Sequence, residues 1–162
     1  MNDKLYKDSE TGCCPRFNPK PWDKKKIVFK NKLFLKDKVT CFFHIPLNFG
    51  KVMVRDMEKI QNAKALSKKP LMLSDDCSLW RSDVYIEVTK SVPDAEMTRI
   101  SGTFLTRVFE GKFNNIGSWI KEMKAYVDGK GKKIKKLYLF YTTCPACAKA
   151  YGKNYIVLLA EI

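Results

Sequence analysis

The sequence predicts an α+β fold of two repeated strand–helix–strand–strand modules, with helices packed on an antiparallel sheet and a ligand groove between the modules. Three observations support this prediction. Several short runs alternate apolar and polar residues, two longer runs have apolar residues at helical spacing, and these segments follow the same order in both halves of the chain. We place a single duplicated domain at residues 38–162, with modules at about 38–92 and 96–162.

The first 37 residues are predicted to be irregular except for a short hairpin. Prolines at positions 15, 19 and 21 interrupt regular strand pairing near the start. Further on, the apolar runs 27–29 and 33–35 flank Lys30-Asn31-Lys32, which is typical of two short strands around a turn.

A strand and a helix open the first module. Residues 39–45 form an apolar run that Pro46 ends, as expected for a buried strand. From about Lys51 to Lys64 the apolar period becomes helical. The apolar residues of that stretch are Met53, Val54, Met57, Ile60 and Ala63.

Two strands complete this module, a short one at 71–73 and a longer one at 83–89. Alternation along the longer strand assigns its side chains to two faces. One face has Val84, Ile86 and Val88, and the other has Asp83, Tyr85 and Glu87.

The second module repeats that order. A strand at 103–110 is followed by a turn at Gly111, and a helix is predicted to end at Gly129. Strands at 137–141 and 155–161 complete the module. The apolar stripe of the helix consists of Ile116, Trp119, Ile120, Met123 and Val127.

Composition narrows the function classes. No apolar run approaches the roughly 20 residues that span a bilayer, so we expect a cytoplasmic protein without a membrane partner. The formal charge is +14, and lysine supplies most of it. Since base-reading surfaces favour arginine, we interpret the lysine clusters at 24–26 and 130–136 as solvated surface and do not expect a nucleic-acid partner.

The second half of the chain resembles the GyrI-like small-molecule-binding family. The resemblance rests on residues 102–113 (GTFLTRVFEGKF) followed by Ile116-Gly117-Ser118-Trp119, and extends more loosely over residues 39–162. The family motif, a strand ending in Gly-Pro-Tyr before an amphipathic helix, is Gly111-Lys112-Phe113 here, and the later family tyrosine is Tyr141. Family members often have a carboxylate two residues before that tyrosine, where this chain has Leu139.

This resemblance implies a stand-alone binding protein for hydrophobic, planar, often cationic organic molecules. It also implies two alternatives. One is a hydrolase that uses the same pocket to act on strained electrophiles such as cyclopropane-bearing genotoxins. The other is a protein that binds a partner through its basic surface and inhibits a nucleic-acid enzyme. Whether the chain is an enzyme stays open at this point.

Glu87 is the candidate acid for such a pocket. It lies mid-strand on the face of Tyr85, where a half-buried carboxylate can pair with a ligand cation or act as a general base. The alternative is a solvent-facing carboxylate paired with a lysine. Aromatic rings supply the rest of a planar or cationic site, in competition with simple core packing. The aromatic candidates are Phe42, Trp80, Tyr85, Phe104, Trp119 and Tyr141.

Histidine and cysteine offer further chemistry. His44 is a candidate pocket base or, in a tetrapyrrole binder, an axial ligand, against the alternative of a structural histidine. Cys144 and Cys147 form a Cys-x-x-Cys unit that, with Cys13 and Cys14, supplies the four thiolates of a tetrahedral zinc site. The alternatives are a redox pair and no chemical role. No cofactor is required by the predicted function.

Overall fold

A computed structural model describes residues 14, 16–43, 45–75, 80–143 and 145–162. The chain forms two compact units. One unit consists of residues 28–102, and the other combines the described residues up to Ile27 with Thr103–Ile162. None of the helices in the described ranges has the length and apolar character needed to cross a membrane.

The strands are the main elements of the chain. They are β1 (Lys25–Phe42), β2 (Ile45–Pro46), β3 (Met72–Asp75), β4 (Arg81–Glu87), β5 (Glu96–Glu110), β6 (Lys136–Tyr141) and β7 (Tyr155–Glu161). The helices are α1 (Phe49–Asn62), α2 (Ile116–Gly129) and α3 (Pro145–Tyr151), with a 3-10 turn at Phe113–Asn115.

In the unit of residues 28–102, β1 pairs antiparallel with β2 and with β4, and β4 pairs antiparallel with β3. The register of β1 with β4 runs from Phe34↔Glu87 to Thr40↔Arg81. Helix α1 packs against this sheet because its buried face meets apolar side chains from β1 and β4. The core around Ile60 contains Leu35, Ala65, Ile86, Val88 and Val92, and Val52 lies in a second cluster with Val39, Cys41 and Val84.

In the other unit, β7 lies between β5 and β6, and both pairings are antiparallel. Helix α2 covers this sheet with Trp119, Met123 and Val127, which are buried. The sheet side of this core consists of Leu105, Phe109, Leu139, Ile156, Leu158 and Ala160. Residues 22–25 lie along β5, where the Thr106 hydroxyl donates to the carbonyl of Trp22 and the Val108 N–H donates to Asp23 Oδ1 at 3.1 Å.

The predicted α+β fold class is wrong, because the protein is mostly β. Of the residues that the structure describes, about 43% are in strands and 26% in helices. The two long strands account for the difference. β1 and β5 have 18 and 15 residues, whereas the sequence predicted strands of about seven or eight there. The described elements follow the order β1, β2, α1, β3, β4 and then β5, α2, β6, α3, β7, so β2 and α3 are additions to the predicted strand–helix–strand–strand order.

The hairpin predicted around Lys30-Asn31-Lys32 is also wrong, since these residues lie inside β1. Asn31 has a φ of 53°, which favours Asn over most residues. Its N–H donates to Ser101 Oγ at 2.8 Å, and its carbonyl accepts a hydrogen bond from Arg99 Nη1 at 2.9 Å. The side chains of Ser101 and Arg99 thus form hydrogen bonds with the backbone of Asn31, at the position where the polar sequence suggested a turn. The predicted domain division at residue 37 stays a prediction.

Candidate functional site

The buried face of α1 contains one charged side chain, Asp56. Residues at positions i, i+4 and i+8 lie on one face of a helix, and in α1 the buried members of this series are Val52, Asp56 and Ile60. Asp56 is only 1% exposed. A carboxyl group in such a place loses its hydration, so its neighbours determine its protonation state.

Asp37, on β1, is the main neighbour of Asp56. Its Oδ1 accepts the Lys38 N–H at 2.7 Å, and its Oδ2 is paired with Arg55 Nη2. Burial by itself raises the pKa of Asp37, but the hydrogen bonds from Lys38, Arg55 and Asp56 and the charge of Arg55 outweigh it. The pKa of Asp37 is therefore held below its usual 3.8.

Asp56 has the opposite behaviour, with its pKa raised from 3.8 to about 6. Burial is the largest cause, followed by the hydrogen bond with Asp37 and the repulsion from the Asp37 charge. The charges of Arg55 and Lys59 limit the rise, and Arg55 Nε lies 3.7 Å from Asp56 Oδ1. Neither oxygen of Asp56 has a hydrogen-bond partner among the described residues. A hydrogen bond to Asp37 requires the protonated form of Asp56 and therefore contributes to its raised pKa.

Both carboxyl groups line a cavity of about 340 Å³. Its walls come from residues 35–38 of β1, from Arg55, Asp56 and Lys59 of α1, and from residues 94–96. This volume is at the lower end of the range for small-molecule sites. Two carboxyl groups whose pKa values are pushed apart can act as an acid and a base, and the cavity gives a small molecule room beside them.

Cationic side chains surround this carboxyl pair. Lys36 Nζ lies 3.7 Å from both Asp83 Oδ2 and Glu96 Oε1, and Lys59 Nζ donates to the carbonyl of Asp94 at 2.8 Å. The cavity wall thus combines four cationic side chains (Lys36, Lys38, Arg55 and Lys59) with four carboxyl groups (Asp37, Asp56, Asp94 and Glu96). Cationic groups stabilise an oxyanion that forms during a reaction.

Glu87, the acid proposed from the sequence, is half-buried on β4 and already has two partners. Its Oε1 lies 2.5 Å from Lys32 Nζ, and its Oε2 accepts the Leu71 N–H at 3.0 Å. Tyr85 is buried on the same strand, where its ring packs edge-on against Phe34 at 6.4 Å between centroids. Neither residue lines the cavity of Asp37 and Asp56. The catalytic and ligand-binding roles of these two residues stay predictions.

Two of the predicted aromatic residues, Phe42 and Trp80, lie together. Their ring centroids are 5.7 Å apart, and Phe43 contacts both rings, at 4.8 Å from Phe42 and 5.5 Å from Trp80. All three side chains are more than half exposed. This aromatic cluster (Phe42, Phe43 and Trp80) is an exposed apolar surface on the unit of residues 28–102, and its rings are inclined to one another by 55° to 89°.

The other three aromatic candidates belong to the unit that contains residues 103–162. Phe104 is fully buried, with its ring 6.1 Å from that of Tyr138. Trp119 is stacked on Phe109 at 5.6 Å inside the core of α2, and Tyr141 is half-buried against the same core. These positions fit core packing, and their ligand-binding role stays a prediction.

The predicted metal ligands are only partly within the described chain. Cys13 and Cys144 lie outside the described residues, as does His44. Tyr151, at the end of α3, donates its hydroxyl to the Cys14 carbonyl, and Cys147 lies one turn earlier on that helix. No group of three or more His, Cys, Asp or Glu side chains with metal-binding geometry occurs in the described ranges. Zinc therefore stays a prediction.

Sequence reasoning missed Asp37, Arg55 and Asp56. The predicted stripe of α1 was centred on Met53 and Met57, which are only partly buried. One signal could have revealed Asp56, namely that it stands four residues from both Val52 and Ile60, in the register of the buried series. A carboxylate in that register is a candidate for a shifted pKa.

Comparisons with known proteins relate the chain to hydrolases. A hydrolase from Listeria innocua, known from its crystal structure, has a similar fold, with a TM-score of 0.60 and 13% identity over 86% of this chain and 92% of that one. No curated protein matches the sequence. The model of a family described as bacterial hydrolase matches residues 4–162. These findings favour the hydrolase alternative over the binding protein that was the main prediction. The chain belongs to the bacterial hydrolase family.

Proposed function

We propose that this protein is a hydrolase that uses Asp56 to activate a water molecule. The observation that supports this role most strongly is a buried carboxyl group, with its pKa raised to about 6, in the wall of a cavity of about 340 Å³. A general base works best when its pKa is close to the working pH. Asp56 meets this condition, whereas a surface carboxylate does not.

The proposed reaction has two proton transfers. At neutral pH Asp56 is mostly ionised and takes a proton from water while the water oxygen bonds to an electrophilic carbon of the substrate. The proton then lies between Asp56 and Asp37. It passes to the leaving atom as the bond between that atom and the carbon breaks, so Asp56 returns to its starting state. Arg55 and Lys36 stabilise negative charge that develops on the substrate.

The substrate class we propose is a small electrophile. The resemblance to the GyrI-like family favours strained, cyclopropane-bearing compounds, whose ring opening by water needs a base and then an acid. A carboxylic ester is the simplest electrophile that tests the same chemistry.

The test is steady-state hydrolysis of p-nitrophenyl acetate and of a cyclopropane-bearing electrophile by the wild type, Asp56→Asn and Asp37→Asn. Glu58→Gln is the matched control, because Glu58 lies on the same helix but is exposed. We expect Asp56→Asn to lower kcat/KM by about 10²- to 10⁴-fold, the usual contribution of a general base. Glu58→Gln should keep the wild-type rate.

Two outcomes contradict the proposal. One is a wild-type rate in Asp56→Asn, shown to be folded by circular dichroism. The other is loss of turnover in Glu87→Gln while Asp56→Asn stays active, which would return the catalytic role to the acid first proposed from the sequence. Cleavage of neither compound by the wild type would reject the proposed substrate class.

A further inference from the structure

A second cavity, of about 500 Å³, belongs to the unit that contains residues 103–162. Its wall comes from the start of β1, from β5 and from the C-terminal end of α2. It shares no lining residue with the cavity of Asp37 and Asp56. Five of its lining residues are lysines, namely Lys24, Lys25, Lys26, Lys130 and Lys132.

The fold brings these lysines together from two stretches of sequence about a hundred residues apart. None of the described lining residues is acidic, so the ammonium groups repel one another across the cavity. All five side chains are exposed to solvent, and all five residues line the same concave space. This arrangement favours an anion that neutralises several of them together.

Backbone hydrogen bonds hold both stretches in place. The Lys25 carbonyl accepts a hydrogen bond from Thr106 Oγ1 at 3.3 Å. The N–H groups of Lys130 and Lys132 both donate to the Val127 carbonyl, at 3.0 and 3.2 Å. The end of α2 attracts cations through its dipole, which accounts for lysines at 130 and 132 but not for those at 24–26.

The rest of the wall is less polar. Leu105, Tyr126 and Ile162 provide apolar surface, and Thr103 adds a hydroxyl. Lys130 Nζ lies 5.7 Å from the centroid of the Tyr126 ring. A cavity of about 500 Å³ is larger than one inorganic anion needs and is typical of sites for small organic molecules.

We propose that this cavity binds a small organic phosphate, with the phosphate groups among the five lysines and an apolar or aromatic body against Tyr126 and Leu105. Lysine binds phosphate as a point charge, and several lysines suit a ligand with more than one phosphate group. This site is distinct from the proposed hydrolytic site. Phosphate binding would give a function to the lysine clusters, which the sequence analysis interpreted as solvated surface.

The experiment is isothermal titration of the full chain with ADP, with adenosine and pyrophosphate as partial ligands. The cavity variant carries Lys130→Gln and Lys132→Gln. The matched control carries Lys68→Gln and Lys69→Gln, because these two lysines are exposed and do not line the cavity, so the same charge is removed elsewhere. We expect saturable binding of ADP, weaker binding of pyrophosphate, and at least a tenfold loss of ADP affinity in the cavity variant alone.

Three results would overturn the proposal. The first is that ADP does not bind the wild type. The second is that the Lys130/Lys132 variant and the Lys68/Lys69 control lose the same affinity for ADP, which would indicate general attraction to a basic protein. The third is that a short single-stranded oligonucleotide binds much more tightly than ADP, which would assign the lysines to a nucleic-acid surface. A circular dichroism spectrum of each variant shows that it is folded, and Lys24→Gln with Lys26→Gln gives an independent second variant.

Discussion

Asp56 on α1 and Asp37 on β1 form a carboxyl pair in which the two groups have opposite pKa shifts. The pKa of Asp37 is lowered below 3.8 and that of Asp56 is raised to about 6. Arg55 produces part of this difference, because its guanidinium is paired with Asp37 while Asp56 is buried beside it. A pair of this kind assigns one carboxyl to the charged state and leaves the other ready to exchange a proton near neutral pH.

The buried charge of Asp56 should lower the stability of the protein at neutral pH. A carboxyl whose folded-state pKa exceeds its unfolded value binds more protons when folded, so the free energy of unfolding falls as pH rises from about 4 to 6. We expect Asp56→Asn to raise the free energy of unfolding by about 3 kcal/mol at pH 7.5, since the pKa rises from 3.8 to about 6 and each pKa unit corresponds to about 1.4 kcal/mol.

Urea unfolding at pH 7.5 and at pH 4 measures this effect. The gain in Asp56→Asn should be present at pH 7.5 and much smaller at pH 4, where the wild-type carboxyl is protonated in the folded state and about half protonated in the unfolded state. Glu58→Gln, on the exposed face of the same helix, should change stability little at either pH. A loss of stability in Asp56→Asn at pH 7.5 would show that the Asp56 carboxylate is stabilised by partners.

Glu87 should contribute to stability. It joins Lys32 to the backbone of Leu71, and its side chain is only 16% exposed. We expect Glu87→Gln to lower the free energy of unfolding by about 1–2 kcal/mol, because a charge-assisted hydrogen bond between β4 and the chain before β3 is weakened. Thermal unfolding measured beside Glu96→Gln, whose side chain is 59% exposed, checks this expectation.

Alanine substitution should lower stability by different amounts at the two tryptophans proposed as ligand contacts. Trp119 is 6% exposed and stacked on Phe109, so Trp119→Ala should cost about 3–5 kcal/mol of stability. Trp80 is 55% exposed, and Trp80→Ala should cost less than about 1 kcal/mol. Chemical unfolding of both variants tests the difference, and equal losses would contradict the distinction between core and surface.

The elements with strong periodicity could be predicted from the sequence. The helix predicted from Ile116 to Gly129 is α2, and the strand predicted at 155–161 is β7, with the same bounds. Both have apolar residues at the spacing that their packing requires, and local residues in the sequence, such as Gly129 for α2, mark where they end. Between the strands predicted at 137–141 and 155–161 the structure has helix α3, which the sequence did not predict, because a helix of seven residues beginning at proline has too few turns to show an apolar stripe.

The long strands and the carboxyl pair could not be predicted in the same way. β1 continues through Lys30, Asn31 and Lys32 because Ser101 and Arg99 bond the Asn31 backbone, and a single sequence does not show that long-range pairing. Asp56 resembles any polar helix residue until Val52 and Ile60 are known to be buried on both sides of it. Its pKa depends on Asp37, which lies 19 positions earlier.

The most direct test of the proposed general base is a carbon-13 NMR titration of the Asp56 carboxyl, assigned by comparison with Asp56→Asn. We predict that the Asp56 carboxyl titrates with a pKa near 6, and that Asp37→Asn lowers this value by removing the repulsion and the carboxylate acceptor. A pKa near 4 that does not change in Asp37→Asn would contradict the account, because Asp56 would then be an ordinary ionised carboxylate.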